Sequence, residues 1–240
     1  AVSSASLMRQ AIFQVKHHVS HRSAFQRRLI DQPLMKNVIA DMVLESEAAL
    51  NLSLRVARAV DNQNSNEDER SFARISTAIS KYWITKRAPY LVFEALECHG
   101  GPGYIEESIM PRLYREAPLN SIWEGSGNVM CLDVLRALQR DKNALPSLFR
   151  ELASAEGSNK NFDESFSHLK ETLQDPIDLE VEARLLTEKM ACLIQASIFI
   201  KSGEEEKISA FCNSRLGPRW SGAFGTLPTD TSFEYIMDSL

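Results

Sequence analysis

Apolar positions recur at helical spacing along almost the whole chain. Leu7, Ile12, Phe13 and Val19 share roughly one face of a segment covering residues 5–20. Pro33 suits the first turn of a long second helix, rich in Leu, Met, Val and Ala, that runs to about Val60. A polar run at 61–66 breaks the pattern, and a third helix follows over about 67–99, with a kink expected at Pro89. Three long helices joined by short breaks imply antiparallel neighbours in a bundle. Periodicity resumes over 125–139 through Val129, Leu132, Leu135 and Leu138, and composition shifts near Asp141. Four further helices read over 145–155, 162–174, 177–202 and 204–214, separated by Gly157-Ser158-Asn159, Asp175-Pro176 and Ser202-Gly203. The stretch from Gly217 onward, rich in Gly, Pro, Thr and Ser, either wraps over the surface or frays. No repeat and no strand alternation stands out. The expected architecture is all-α in two lobes: a four-helix bundle over residues 1–140 and an additional helical lobe over 141–240.

One stretch interrupts the periodicity and concentrates the candidate chemistry. Gly100, Gly101 and Gly103 follow the third helix directly, where glycine stops a helix by accepting positive φ and lets a ligand come close to the backbone. Further on, Glu124 stands between Trp123 and the turn Gly125-Ser126-Gly127. A carboxylate held against an indole is poorly solvated, which predicts a raised pKa suited to proton transfer. The same residues also describe a plain loop and a solvated surface acid. Near the N-terminus, His17 and His21 lie four apart on one helical face, a metal-pair spacing without a third ligand; a polar helix end, where imidazoles suit the negative terminus, is the preferred reading, and no metal is expected.

Composition narrows the function classes. Hydrophobic content of 44% and charged content of 25% over 240 residues are those of a globular chain able to build a core. A net charge of -5 gives no general attraction for nucleic acid or anionic membrane. No apolar run approaches the roughly 20 residues needed to span a bilayer, and the first residues do not form a signal peptide. Cys98, Cys131, Cys192 and Cys212 are too scattered for a zinc or disulfide framework and point to reduced thiols in an intracellular compartment. The chain opens on Ala1 within a helical pattern, as a piece of something longer would.

Four motifs in order carry a resemblance. Arg22-Ser23-Ala24-Phe25, Glu97-Cys98-His99-Gly100-Gly101-Pro102-Gly103-Tyr104, Arg115-Glu116 and Trp123-Glu124-Gly125-Ser126 are similar to the motif series of the acyl-CoA dehydrogenase C-terminal domain. The run PRLYREAPLNSIWEGSGN-x-MCLDVLRAL resembles more closely the AidB-like, isovaleryl-CoA dehydrogenase-related branch, linked in bacteria to the response to DNA alkylation; that branch carries an added C-terminal helical region. The resemblance is strong over 5–140 and looser beyond. It implies an FAD-dependent oxidation of the α,β-bond of an acyl-CoA, with Glu124 as the α-proton base and its backbone N–H polarising the thioester carbonyl. It further implies that Trp123 and Gly125 line the substrate site, and that Arg22, Phe25, Gln32, Glu97, Gly100, Gly101, Ser126 and Asn128 contact FAD. The assembly implied is a homotetramer, a dimer of dimers in which some of these groups reach the FAD of a neighbouring subunit. The family's N-terminal and middle domains, which complete the flavin and acyl sites, lie outside this chain, so the chain alone is expected to hold FAD weakly.

Departures from the family pattern mark a sub-branch. Glu97 replaces a glutamine and sets an anion near a pyrophosphate. Gln32 falls one place early with Pro33 in register, Gln26 stands where glycine is usual, and Ser126-Gly127 replaces Thr-Ser. Two other functions stay open: an acyl-CoA-sequestering protein with little turnover, and a DNA-associated flavoprotein. Residues 141–240 hold ten Lys/Arg against seventeen Asp/Glu, a balance of about -7 that disfavours phosphate contacts.

Overall fold

The computed structural model describes residues 1–174, 179–218 and 220–240. Helix α1 (Val2–His21) leads through a two-stranded ribbon, β1 (Ser23–Ala24) and β2 (Arg27–Arg28), into α2 (Pro33–Asn62) and α3 (Glu67–His99). Pro33 opens α2 as expected, because a first-turn residue needs no N–H partner. Asn66 caps α3, its Oδ1 accepting from the Asp68 N–H at 2.9 Å and the Glu69 N–H at 3.2 Å. Acidic Glu67, Asp68 and Glu69 complement the positive end of the dipole. α3 runs unbroken through Pro89.

After His99 the chain makes one turn of helix, α4 (Gly101–Tyr104), then α5 (Met110–Glu116), a 3-10 segment (Ala117–Ser121) and α6 (Gly127–Arg140). Helices α1, α2, α3 and α6 form the bundle, with α3 in contact with the other three. Eight consecutive residues of α2, 39–46, are buried, so this helix is enclosed on all sides instead of showing one wet face.

The extension comprises α7 (Ala144–Ala153), α8 (Lys160–Gln174), α9 (Leu179–Ser202), α10 (Glu205–Phe211), a π-helical turn (Cys212–Leu216) and α11 (Phe233–Met237). Helices α7 to α10 match the expected segments to within a few residues at each described end, while α11 falls outside them; the expected break at Asp175-Pro176 lies outside the described residues. α9 packs on α2, α3 and α6, and its residues 190–197 are all buried. Among the described residues one hydrophobic core therefore runs from Ala5 through Leu193 to Met237, without a second core in the extension.

The C-terminal stretch wraps back over the bundle. Trp220 Nε1 donates to Glu188 Oε1 at 2.8 Å, and Asn37 exchanges two 3.1 Å hydrogen bonds with the Leu227 backbone. α11 buries Ile236 and Met237 against α2. Beneath this strap lies a buried ionic quartet. Arg215 of the π turn meets Asp41 and Glu45 of α2, and Glu45 also pairs with Arg87 of α3 at 3.3 Å. Asp41 Oδ2 accepts the Gly225 N–H at 2.9 Å, so the quartet joins bundle, extension and strap.

Candidate functional site

The residues singled out by sequence separate into two constellations along α3. The first sits at the C-terminal end of that helix. His99 stacks against His18 of α1 with ring centroids 4.8 Å apart, bringing the end of α1, Arg22 and the glycine turn together. Beyond Arg22, Ser23 pairs with Arg28 and Ala24 with Arg27, leaving Phe25 and Gln26 as a two-residue hairpin loop. Both have positive φ, 52° and 65°, the signature of a turn that normally selects Asn-Gly. The ribbon is held by the Gln32 amide, whose Nε2 donates to the Ala24 carbonyl at 3.0 Å. Phe25 is thereby projected into solvent, 91% exposed. Gln32 thus has a role in the ribbon that sequence did not suggest.

This end suits an anionic ligand with an aromatic base. The Arg22 guanidinium has no ion pair among the described residues. Gly100 has φ 64°, and a Cβ on Gly100 or Gly101 would meet nothing within 4 Å, so their backbone is bare and approachable. Gly103 is glycine for a different reason: a Cβ there would lie 2.3 Å from the Leu96 carbonyl oxygen. Glu97 is exposed at the same end and has no cation beside it among the described residues. Burial, followed by the charges of Glu97 and Asp41, holds the Glu94 carboxyl above its ordinary pKa.

The second constellation lies about 27 Å away along α3, eighteen residues from His99 to Lys81 at 1.5 Å each. Here Glu124 adopts φ 56° and Gly125 φ 115°. Lys81 Nζ donates to the Trp123 carbonyl at 2.7 Å and to the Gly125 carbonyl at 2.5 Å, bracketing Glu124. Burial lowers the Lys81 pKa and the Glu124 charge partly restores it. Ser126 precedes the first residue of α6 with its side chain exposed. Asn128 Oδ1 accepts from Arg184 Nε of α9 at 2.9 Å, so the extension reaches the edge of this constellation. Gly127 is packed beneath Lys86, whose Cε would lie 2.8 Å from an added Cβ, so a serine there would require the flexible lysine stem to shift.

The expected shielding of Glu124 by Trp123 is not found. The two side chains belong to different grooves: Trp123 lines one of about 640 Å³ with Ser3, Ser6 and Leu7 of α1, while Glu124 lines one of about 500 Å³ with Arg74, Thr77 and Lys81 of α3. Trp123 is 53% exposed and Glu124 is exposed as well. Adjacent residues diverge here because the left-handed backbone at Glu124 turns the chain between them. His21 Nδ1 lies 2.8 Å from the His17 carbonyl oxygen, and no group of three or more His, Cys, Asp or Glu side chains that could hold a metal ion occurs among the described residues. All four cysteines are free and buried, and among the described residues no helix is long and apolar enough to cross a membrane.

A family model for the acyl-CoA dehydrogenase C-terminal domain matches residues 1–139, more than half of the chain. The chain belongs to the acyl-CoA dehydrogenase family. The acyl-CoA dehydrogenase-type protein AidB of Escherichia coli (strain K12) is 38% identical over 219 residues, 91% of this chain and 40% of that protein. The fold is also that of Caenorhabditis elegans ACDH-11, solved in complex with C11-CoA: TM-score 0.78 at 23% identity, covering 93% of this chain and 43% of that one. An acyl-CoA dehydrogenase from Bacillus anthracis, solved with FAD, shares the fold at TM-score 0.69 and 16% identity, covering 91% and 46%. The chain thus spans less than half the length of each of these three proteins, about two fifths of AidB. Both structural likenesses extend across the added helices, beyond the family domain.

Proposed function

We propose that this chain is the C-terminal helical part of an FAD-dependent acyl-CoA dehydrogenase, with Glu124 as the base that removes the α-proton of the acyl-CoA. The observation that carries the reading is the conformation of Glu124: a left-handed, non-glycine residue clamped from both sides by one ammonium, at the rim of an open groove. Backbone strain persists where the surroundings over-determine it, and proton-transfer sites are common among such places. An exposed glutamate keeps its rotamer freedom, so its carboxylate can turn to a thioester once the remaining domains close over the groove.

FAD supplies the acceptor for the hydride that leaves the β-carbon. The remaining roles belong to the chain. The thioester and α-carbon would lie at Glu124, and the acyl chain beyond them would run toward the neighbouring Trp123 groove, with Ser3, Ser6 and Leu7 as its opposite wall. Arg22 would pair with a flavin phosphate, and Phe25 with the bare Gly100–Gly101 backbone would hold the adenosine half. The roughly 27 Å between the two constellations supports cofactor sharing between subunits, because one chain then offers its catalytic end to one FAD and its ribbon to another.

The test is Glu124→Gln in the full-length protein that contains this chain. Acyl-CoA should still bind, and the bleaching of the flavin by substrate should fall by at least 1,000-fold, on the order of the general-base contribution. Bleaching at the parent rate would show that another residue is the base. A sequestering protein would give a third pattern, tight acyl-CoA binding without bleaching in the parent itself.

A further inference from the structure

A left-handed backbone at a residue with a Cβ is unfavourable, so something must hold Glu124 there. The structure offers one group that does so. Lys81, on α3 and 42 positions before Trp123, directs its ammonium at the carbonyl oxygens of Trp123 and Gly125, the residues either side of Glu124. Among the described residues all peptide bonds are trans, and in a trans peptide unit the C=O and the N–H point in opposite directions. With the Trp123 carbonyl directed at the Lys81 ammonium, the Glu124 N–H in the same plane points away from that ammonium. With the Gly125 carbonyl drawn in, the Ser126 N–H is turned away likewise. Neither N–H has a hydrogen-bond partner among the described residues. Two free donors therefore stand on the outer side of the turn, both fixed by the lysine on its inner side.

We infer that Lys81 is a positioning residue of this site: by anchoring the two peptide planes that flank Glu124, its ammonium presents the Glu124 N–H to the thioester carbonyl oxygen and holds the carboxylate on its strained residue. The inference rests on the proposed role of Glu124 as base and adds the group that orients it. Lys81 lines the groove of Glu124, and its role here runs through the two backbone carbonyls that it holds. A preorganised N–H contributes most where negative charge develops, here on the thioester oxygen as the α-proton leaves, so its misalignment should depress turnover more than binding.

The experiment compares Lys81→Met, Lys81→Arg and Glu124→Gln in the full-length holoprotein. Two quantities are read: the infrared stretch of the thioester carbonyl of bound acyl-CoA, and the rate of flavin bleaching. Lys81→Met keeps the aliphatic stem and removes both hydrogen bonds. It should abolish the red shift of the bound carbonyl and slow bleaching about 100-fold, the effect of losing one oxyanion donor, with acyl-CoA affinity changed less than about threefold. Lys81→Arg, which still offers two donors, should restore most of the red shift. Glu124→Gln should keep the red shift, since the backbone donor is untouched, while bleaching is lost. A Lys81→Met protein with the parent red shift and parent bleaching overturns the inference. A Glu124→Gln protein that still bleaches overturns the proposed base instead, so the two failures are separable. If Lys81→Met does not fold, as judged by circular dichroism, Lys81→Gln replaces it, and the same two readings decide.

Discussion

Replacing Arg215 by methionine should destabilise the protein by roughly 3–5 kcal/mol, the cost typical of breaking a buried ion pair from one side. The magnitude follows from what surrounds it. Arg215 is 1% exposed, Asp41 0% and Glu45 2%, so none of the three shares its charge with water. Arg215 Nε and its neighbouring terminal nitrogen donate to Glu45 at 3.2 and 3.1 Å, and the same terminal nitrogen donates to Asp41. With Arg87 the group is neutral, two guanidiniums against two carboxylates. Removing Arg215 leaves one carboxylate charge without compensation in a dry site, and takes away a cation 4.9 Å from the Trp220 ring. At about 2–4 °C per kcal/mol for a chain of this size, the melting temperature should fall by roughly 10 °C. Urea unfolding followed by tryptophan fluorescence reads the change directly. Adding Asp41→Asn to the variant should recover part of the loss, because it removes the uncompensated charge. The dependence on pH gives an independent sign. Burial opposes ionisation of Glu45, yet the charges and hydrogen bonds of Arg87 and Arg215 outweigh it and hold the pKa below the ordinary 4.5. A carboxylate with a depressed folded-state pKa contributes stability above its unfolded value and loses it as pH falls through the folded one. The gap between parent and variant should therefore be full at neutral pH and narrow below about pH 4.5. A loss under about 1 kcal/mol, or a gap that widens in acid, would refute the account of the quartet as a charge-balanced unit.

Two further changes test the backbone that carries the first constellation. Gln26→Gly should raise the urea midpoint by an amount equivalent to about 1 kcal/mol, since glycine accepts the 65° φ that glutamine tolerates only under strain; a lower midpoint would contradict the turn geometry. Gly103→Ala should cost about 1–3 kcal/mol in the same assay, because its methyl would sit 2.3 Å from the Leu96 carbonyl oxygen and 2.9 Å from the His99 Cβ, and a neutral effect would mean this turn is not so packed.

Much of the local structure was legible because helix formation is decided within a few residues. The apolar spacing, Pro33 and the polar run at 61–66 marked the bundle helices, and the ordered motifs marked the family. The extension was read as helices but also as a second lobe, since periodicity shows that a segment has a buried face without showing what buries it. Residues 190–197 of α9 are buried against α2, α3 and α6 among their neighbours, which merges the extension into the bundle's core. The strap was ambiguous for the same reason: its composition does not show that Gly225 will find Asp41, 184 positions earlier.

The sequence by itself determined the spans of the longer helices to within a few residues, the glycine that ends α3, and the presence of an acid in a Trp-Glu-Gly-Ser turn, but not the short helices α4, α5 and α11. Those are properties of backbone dihedrals and of neighbours three or four residues away. Tertiary structure alone decided that the indole and the carboxylate face different grooves, that Lys81 grips the turn around Glu124, and that Arg184 reaches Asn128. The first combines the left-handed backbone at Glu124 with the packing of α1 and α3 around the turn. The last two depend on how elements 42 to 56 residues apart are docked, and a side chain's partner across such a distance is chosen by packing of the whole core, which no local pattern encodes.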